Sequence, residues 1–195
     1  MSDLIFELKR KLVHLASAVY IFIYYFAEKI FSQRTALFIL AFILVGLAFL
    51  EFVKTRYHKK IPIFHHFYRE NEAHTISGSI YLLIGVIISF SVFDFPIAVT
   101  AILMMIFGDT ASALIGRQGN HKLKCLNVSW EGIIAEFLVD VAVGFIFLDN
   151  IVIILAMAIT ATFVEIALKP VDDNLGIPVS AGFIGQALMI LSRII

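Results

Sequence analysis

Cysteine is nearly missing: Cys125 is the single one among 195 residues. That excludes an intramolecular disulfide and any cysteine-based zinc site. Charge is scarce too, at 15% of residues, where an ordinary soluble domain carries about 25%. What charge there is balances, with 15 basic and 15 acidic side chains. No bulk field therefore draws the chain to nucleic acid, and no protein partner is evident. Internal repeats and low-complexity linkers are absent. So is a run of small residues after the first apolar segment: Tyr24, Tyr25, Phe26 and Glu28 stand where a signal-peptide cleavage site would lie. The first segment is accordingly expected to stay in the mature protein.

Apolar sequence fills the space left by charge. The chain is 61% hydrophobic, with a mean hydropathy of +0.95. Apolar segments run over 12–27, 35–52, 76–93, 95–115, 133–148, 151–168 and 177–191. A spanning helix takes about 17–25 residues, so the second, third, fourth and sixth are long enough and the first, fifth and seventh are short. The expected fold is all-α: a polytopic integral membrane bundle of six to seven transmembrane helices, forming a single domain over residues 1–195. The polar segment 54–75 is expected to hold a short amphipathic piece at the membrane surface.

The basic residues alternate from loop to loop. Lys9, Arg10 and Lys11 precede the first span, Lys54 to Arg69 follow the second, and Arg117, Lys122 and Lys124 follow the fourth. The positive-inside rule puts these loops and the N-terminus in the cytoplasm. The chain is thus expected to be a multi-pass protein of the cell's inner or plasma membrane.

Against this background the acids are informative. Asp109 lies in the fourth apolar segment, in the string Gly108-Asp109-Thr110-Ala111-Ser112-Ala113-Leu114-Ile115-Gly116-Arg117. A lone carboxylate at depth costs at least roughly 2.5–3.5 kcal/mol, so it faces a polar cavity, a bundle interior or a partner. Glu131, Glu136, Asp140 and Glu165 also lie in or beside membrane-length segments. Asp109 precedes Arg117 by eight residues, about 12 Å along a helix. Arg10 and His14 share a helix face at the opening of the first span, and Glu136 and Asp140 share one in the fifth. Ser129 stands as a helix N-cap before Glu131 and Gly132, and a helix N-terminus is a seat for phosphate oxygens. Asp172, Asp173 and Asn174, followed by Pro178, read as an acidic turn. On the expected topology these groups gather at the cytoplasmic end. Carboxylates beside basic residues suit a metal-bound polyphosphate, and the apolar bundle suits a lipid tail.

These residues resemble a known family, the CTP-dependent lipid-alcohol kinases, which groups the dolichol kinases, phytol kinases and yeast-type diacylglycerol kinases. The resemblance rests on Arg10-Lys11-x-x-His14 and on Arg69 through Glu72 to Gly78. It continues in Gly108-Asp109 with Gly116-Arg117, in Ser129-x-Glu131-Gly132, and in Glu165 followed by Asp173-Asn174 and Pro178. It covers nearly the whole chain in the right order, in the manner of a compact prokaryotic member. It implies transfer of the γ-phosphate of CTP to the hydroxyl of a membrane lipid alcohol, of polyprenol, dolichol, phytol or diacylglycerol type. It further implies Mg2+ with CTP. Asp109 and His14 are the expected catalytic residues, and Asp109, Glu165 and Asp173 the expected metal ligands. Arg117, Lys122, Lys124, Ser129, Glu131 and Gly132 are expected at the nucleotide. The sequence departs from the family pattern at Val128, where a lysine usually precedes the serine, and at Asn120, where a lysine usually follows the glycine.

Two other functions use the same parts. A lipid-phosphate cytidylyltransferase would also bind CTP. A small proton- or cation-coupled transporter would use the buried acids as its path, although it should also place polar groups on the outer half, where few stand.

Overall fold

In the computed structural model, residues 11–12, 14–57, 77–123, 128–167 and 172–194 are described. The fold is an all-α membrane helical bundle. Among the described residues its helices are α1 (Val19–Ile30), α2 (Gln33–Tyr57), α3 (Gly78–Val92), α4 (Phe95–Gln118), α5 (Trp130–Phe147), α6 (Ile151–Ala167) and α7 (Asp173–Ile194). Two short strands, β1 (Lys122–Leu123) and β2 (Val128–Ser129), pair antiparallel between α4 and α5, with Lys122 opposite Ser129. The chain divides into two compact units, residues 1–84 and 85–195, with the boundary inside α3.

In the first unit α1 and α2 form an antiparallel pair. Ser32 makes the turn between them: its Oγ accepts from the Thr35 amide at 3.2 Å and lies 3.0 Å from the Thr35 hydroxyl. This is N-capping by a short polar side chain. Ile21, Tyr24 and Ala27 of α1 and Ala36 and Leu40 of α2 are buried. The opposite face of α2 presents Phe38, Phe42, Val45, Phe49 and Phe52, all exposed; in a bilayer such a face meets acyl chains. The expected first span is interrupted by a turn at Ser17 and Ala18, so α1 starts at Val19 rather than near residue 12.

The second unit is built around α4, buried along most of its length from Ile97 to Thr110. Helices α5, α6 and α7 pack on it, and α5 with α6 and α6 with α7 pack on each other. Each helix start has a stated cause. Pro96 stands in the first turn of α4, where its missing N–H costs no hydrogen bond. Asn150 Oδ1 accepts from the Val152 amide at 2.9 Å and caps α6. Asp172 Oδ1 accepts from the Asn174 amide at 3.0 Å and side chain at 2.7 Å and caps α7. The acidic run expected as a turn is thus a helix start, and Pro178 lies inside that helix.

Among the described residues three helices are long and apolar enough to cross a membrane: 33–53 within α2, with 21 residues and mean hydropathy 2.7, α4 with 24 and 1.8, and α7 with 22 and 1.6. At 1.5 Å per residue α4 is about 36 Å long, enough for a hydrocarbon layer of about 30 Å. The third and sixth segments, expected to be full length, form shorter helices of 15 and 17 residues. The seventh, expected to be short, is extended by the polar start at Asp173.

Candidate functional site

The polar groups of the second unit gather where α4, α5 and α6 meet. Asp109 is half-buried on α4. One residue earlier, Gly108 lets α5 come close: a Cβ there would overlap Asp140 Oδ1 and stand 3.2 Å from Glu136 Cγ. Four residues after Gly108, Ser112 Oγ donates to Glu165 Oε1 of α6 at 2.8 Å. Glu165 in turn lies beside Glu136. Three helices therefore contribute the carboxyl groups of Asp109, Glu136, Asp140 and Glu165 to one cluster.

The floor of this cluster is buried and unsatisfied. Glu136 is 1% exposed and Asp140 0%. Glu136 Oε2 and both Asp140 oxygens have no hydrogen-bond partner among the described residues. Leaving buried polar atoms unpaired costs roughly 1–3 kcal/mol each. Other polar groups in these helices are quiet by comparison. The hydroxyls of Thr100, Thr110, Thr160 and Thr162 all donate to the carbonyl four residues earlier, at 2.7–3.0 Å, and so need nothing from neighbouring helices.

The mouth is formed by the β-hairpin and the start of α5. Ser129 is the N-cap expected from the sequence: its Oγ accepts from the Gly132 amide at 3.1 Å. Gly132 also sets the helix crossing, since a Cβ on it would stand 3.0 Å from Gly116 Cα and 3.0 Å from the Ser112 carbonyl oxygen. Glu131 grips the preceding loop. Its Oε1 accepts from the Asn120 and His121 amides at 3.0 and 3.1 Å and lies 2.7 Å from His121 Nδ1. Its own backbone N–H, the His121 side chain and these loop amides hold the Glu131 carboxyl down to about 2.

This arrangement changes what Ser129, Glu131 and Gly132 can do. The start of α5 was expected as a phosphate seat, and two of its amides already have partners. The Trp130 amide bonds the His121 carbonyl at 3.1 Å, and the Gly132 amide bonds Ser129. A carboxylate stands beside them. These residues brace the loop that carries the cations, with Arg117 exposed at the end of α4 and Lys122 exposed on β1.

Of the other expected residues, Gly108, Asp109, Gly116 and Glu165 fall in or beside the carboxyl cluster. Asp173, Asn174 and Pro178 open α7. Lys11, which is buried, and His14 belong to the first unit. Arg10, Arg69, Glu72 and Lys124 lie outside the described residues. Among the described residues no three His, Cys, Asp or Glu side chains stand close enough to enclose a metal ion. Such a set is not required of a magnesium site, because Mg2+ keeps waters and is held by one or two carboxylates together with substrate phosphates. A half-buried Asp109 near exposed cations fits that arrangement. Glu136 and Asp140 were legible only as a pair on one helix side; their meeting with Gly108 depends on the helix crossing.

No family model and no solved structure matches the chain. Among curated proteins it is similar to the uncharacterized protein MJ1137 of Methanocaldococcus jannaschii, 30% identical over 183 residues, which covers 91% of this chain and 92% of that protein. It is similar to CTP-dependent diacylglycerol kinase 1 of Saccharomyces cerevisiae, 28% identical over 151 residues, covering 72% of this chain and 50% of the yeast protein. The kinase of the same name from Eremothecium gossypii is 33% identical over 75 residues, 37% of this chain and 24% of that protein. The chain thus spans about half the length of the yeast kinase.

Proposed function

We propose that this chain, which belongs to one family with the archaeal protein MJ1137, is a CTP-dependent lipid kinase that transfers the γ-phosphate of CTP to the hydroxyl of a membrane alcohol. The similarity to two CTP-dependent diacylglycerol kinases supports this reading. The observation that carries it is Asp109, half-buried on the apolar helix α4, two turns before the exposed Arg117. A carboxylate and a cation so placed span the distance between an acceptor inside the bundle and a polyphosphate outside it.

Phosphoryl transfer depends mainly on positioning and charge neutralisation. Arg117 and Lys122, with Lys124, hold the phosphates, and Glu131 fixes the loop that carries them through its bonds to Asn120 and His121. Asp109 would hold a nucleotide-borne Mg2+, which would supply charge neutralisation at the transferred phosphoryl group. Glu165 of α6 and Asp173 at the start of α7 are the further candidate ligands for that ion. The basic loops place the N-terminus and the nucleotide on the cytoplasmic side of a multi-pass chain. We favour a polyprenol-like acceptor.

Membranes containing the protein, incubated with γ-labelled CTP and a panel of lipid alcohols, test this. Label in the lipid is the expected result, with CTP preferred to an equal concentration of ATP. Label in pyrophosphate instead shows a cytidylyltransferase. Label in neither overturns the enzyme and returns the buried acids to a transport path.

A further inference from the structure

Glu136 and Asp140 have no part in the nucleotide chemistry just described, yet both are buried with unpaired oxygens. Three of their oxygens are buried without a hydrogen-bond partner among the described residues. Asp140 is 0% exposed and turned towards α4, close enough that only a glycine fits at position 108. Polar groups lead to this floor from the half-buried residues: Ser112 bonds Glu165, and Glu165 lies beside Glu136. Beyond the floor the same helix faces turn apolar, with Met104 and Met105 buried one turn before Gly108 and Val143 one turn after Asp140.

A ligand for this place must bring hydrogen-bond donors, carry little or no charge into an apolar bundle, and continue into an apolar tail. A dehydrated cation fits poorly, since no three ligating side chains close around a point. A phosphorylated headgroup would meet four carboxyl groups and be repelled. A bare hydroxyl on a long apolar chain meets each requirement, because it donates one hydrogen bond, accepts others and is neutral.

We propose that Glu136 and Asp140 form the subsite that binds the hydroxyl of the lipid alcohol, leaving Asp109 to the nucleotide. The identity of the ligand as the phosphate acceptor rests on the kinase reading; the binding itself is measured without CTP. The purified protein in detergent micelles is titrated with a radiolabelled long-chain polyprenol, and the O-methyl ether of the same alcohol serves as competitor. The free alcohol should compete at least tenfold better than the ether, which lacks the donor. Asp140→Leu, close in size and free of the unpaired oxygens, should remain folded, bind CTP as the wild type does, and lose at least tenfold in affinity for the alcohol. Asp140→Asn should recover part of that loss. In turnover the leucine variant should raise the KM for the alcohol while the KM for CTP stays unchanged. Equal competition by the ether, or full alcohol binding by Asp140→Leu, overturns the subsite. If Asp140→Leu fails to fold, the ether competition on the wild type decides alone. Tight, ether-sensitive binding without any label transfer would keep the subsite and overturn the kinase reading instead.

Discussion

Replacing Gly132 with alanine tests the packing on which the site depends. The added Cβ would stand 3.0 Å from both Gly116 Cα and the Ser112 carbonyl oxygen, which are backbone atoms of α4 and cannot rotate away. Carbon atoms pack comfortably at about 3.5–4.0 Å, so α5 must draw back by roughly 0.5–1 Å. Overpacking of this kind costs about 1–3 kcal/mol. Against it stands the helix preference for alanine over glycine, at most about 1 kcal/mol. Gly46 supplies the control, because a Cβ there meets nothing within 4 Å and only the favourable effect should remain. Gly46→Ala should therefore gain about 0.5–1 kcal/mol while Gly132→Ala loses up to about 2 kcal/mol. With about 2–4 °C of Tm per kcal/mol for a chain of this size, the two variants should separate by several degrees in the same detergent. Turnover should separate further, because a shift of about 1 Å at a reacting site can cost a hundredfold. If Gly132→Ala raises Tm as much as Gly46→Ala does, the crossing yields freely and the close-contact argument fails.

Asp109→Asn should keep the fold, since the amide is nearly isosteric, while turnover with labelled CTP falls over about a hundredfold, or roughly 3 kcal/mol of transition-state stabilisation; near-normal turnover would make Asp109 structural. Ser129→Ala removes the acceptor for the Gly132 amide and should cost about 1 kcal/mol in thermal unfolding, with no loss if water replaces the cap fully. Glu131 sets an acid limit. Its carboxyl is lowered from 4.5 to about 2, so its stabilising contribution is complete above pH 4.5 and disappears as the pH falls towards 2. Tm measured across that window should decline less in Glu131→Gln than in the wild type, and parallel declines would show that the loop contacts carry no charge dependence.

The helices were legible because apolar runs of membrane length have few alternatives, and α4 begins at Phe95 as its apolar segment does. Boundaries moved where polar residues take part in a helix without belonging to its apolar run. Asp173 and Asn174 entered α7 because Asp172 caps it, and Trp130 entered α5 because Ser129 does. The β-hairpin was not legible, as strands of two residues leave no alternation to detect. In the site, Asp109 stood out by its depth, whereas Asp140 acquires meaning only from Gly108, 32 positions earlier and on another helix. Glu131 illustrates the opposite case, in which a motif residue expected at the nucleotide spends one of its carboxyl oxygens on the neighbouring loop.

Pro178 ties together two positions far apart in the chain. It has no amide hydrogen, so the carbonyl of Asn174 is released from the helical ladder. That carbonyl oxygen would stand 2.8 Å from a Cβ on Gly85, and the proline ring 3.0 Å from it. Neither residue is then free to drift by itself as the lineage diverges. In descendants that keep this turn of helix around Pro178, any side chain at 85 should be selected against. The two positions are inherited as a pair, and a set of related genes would record it as joint change.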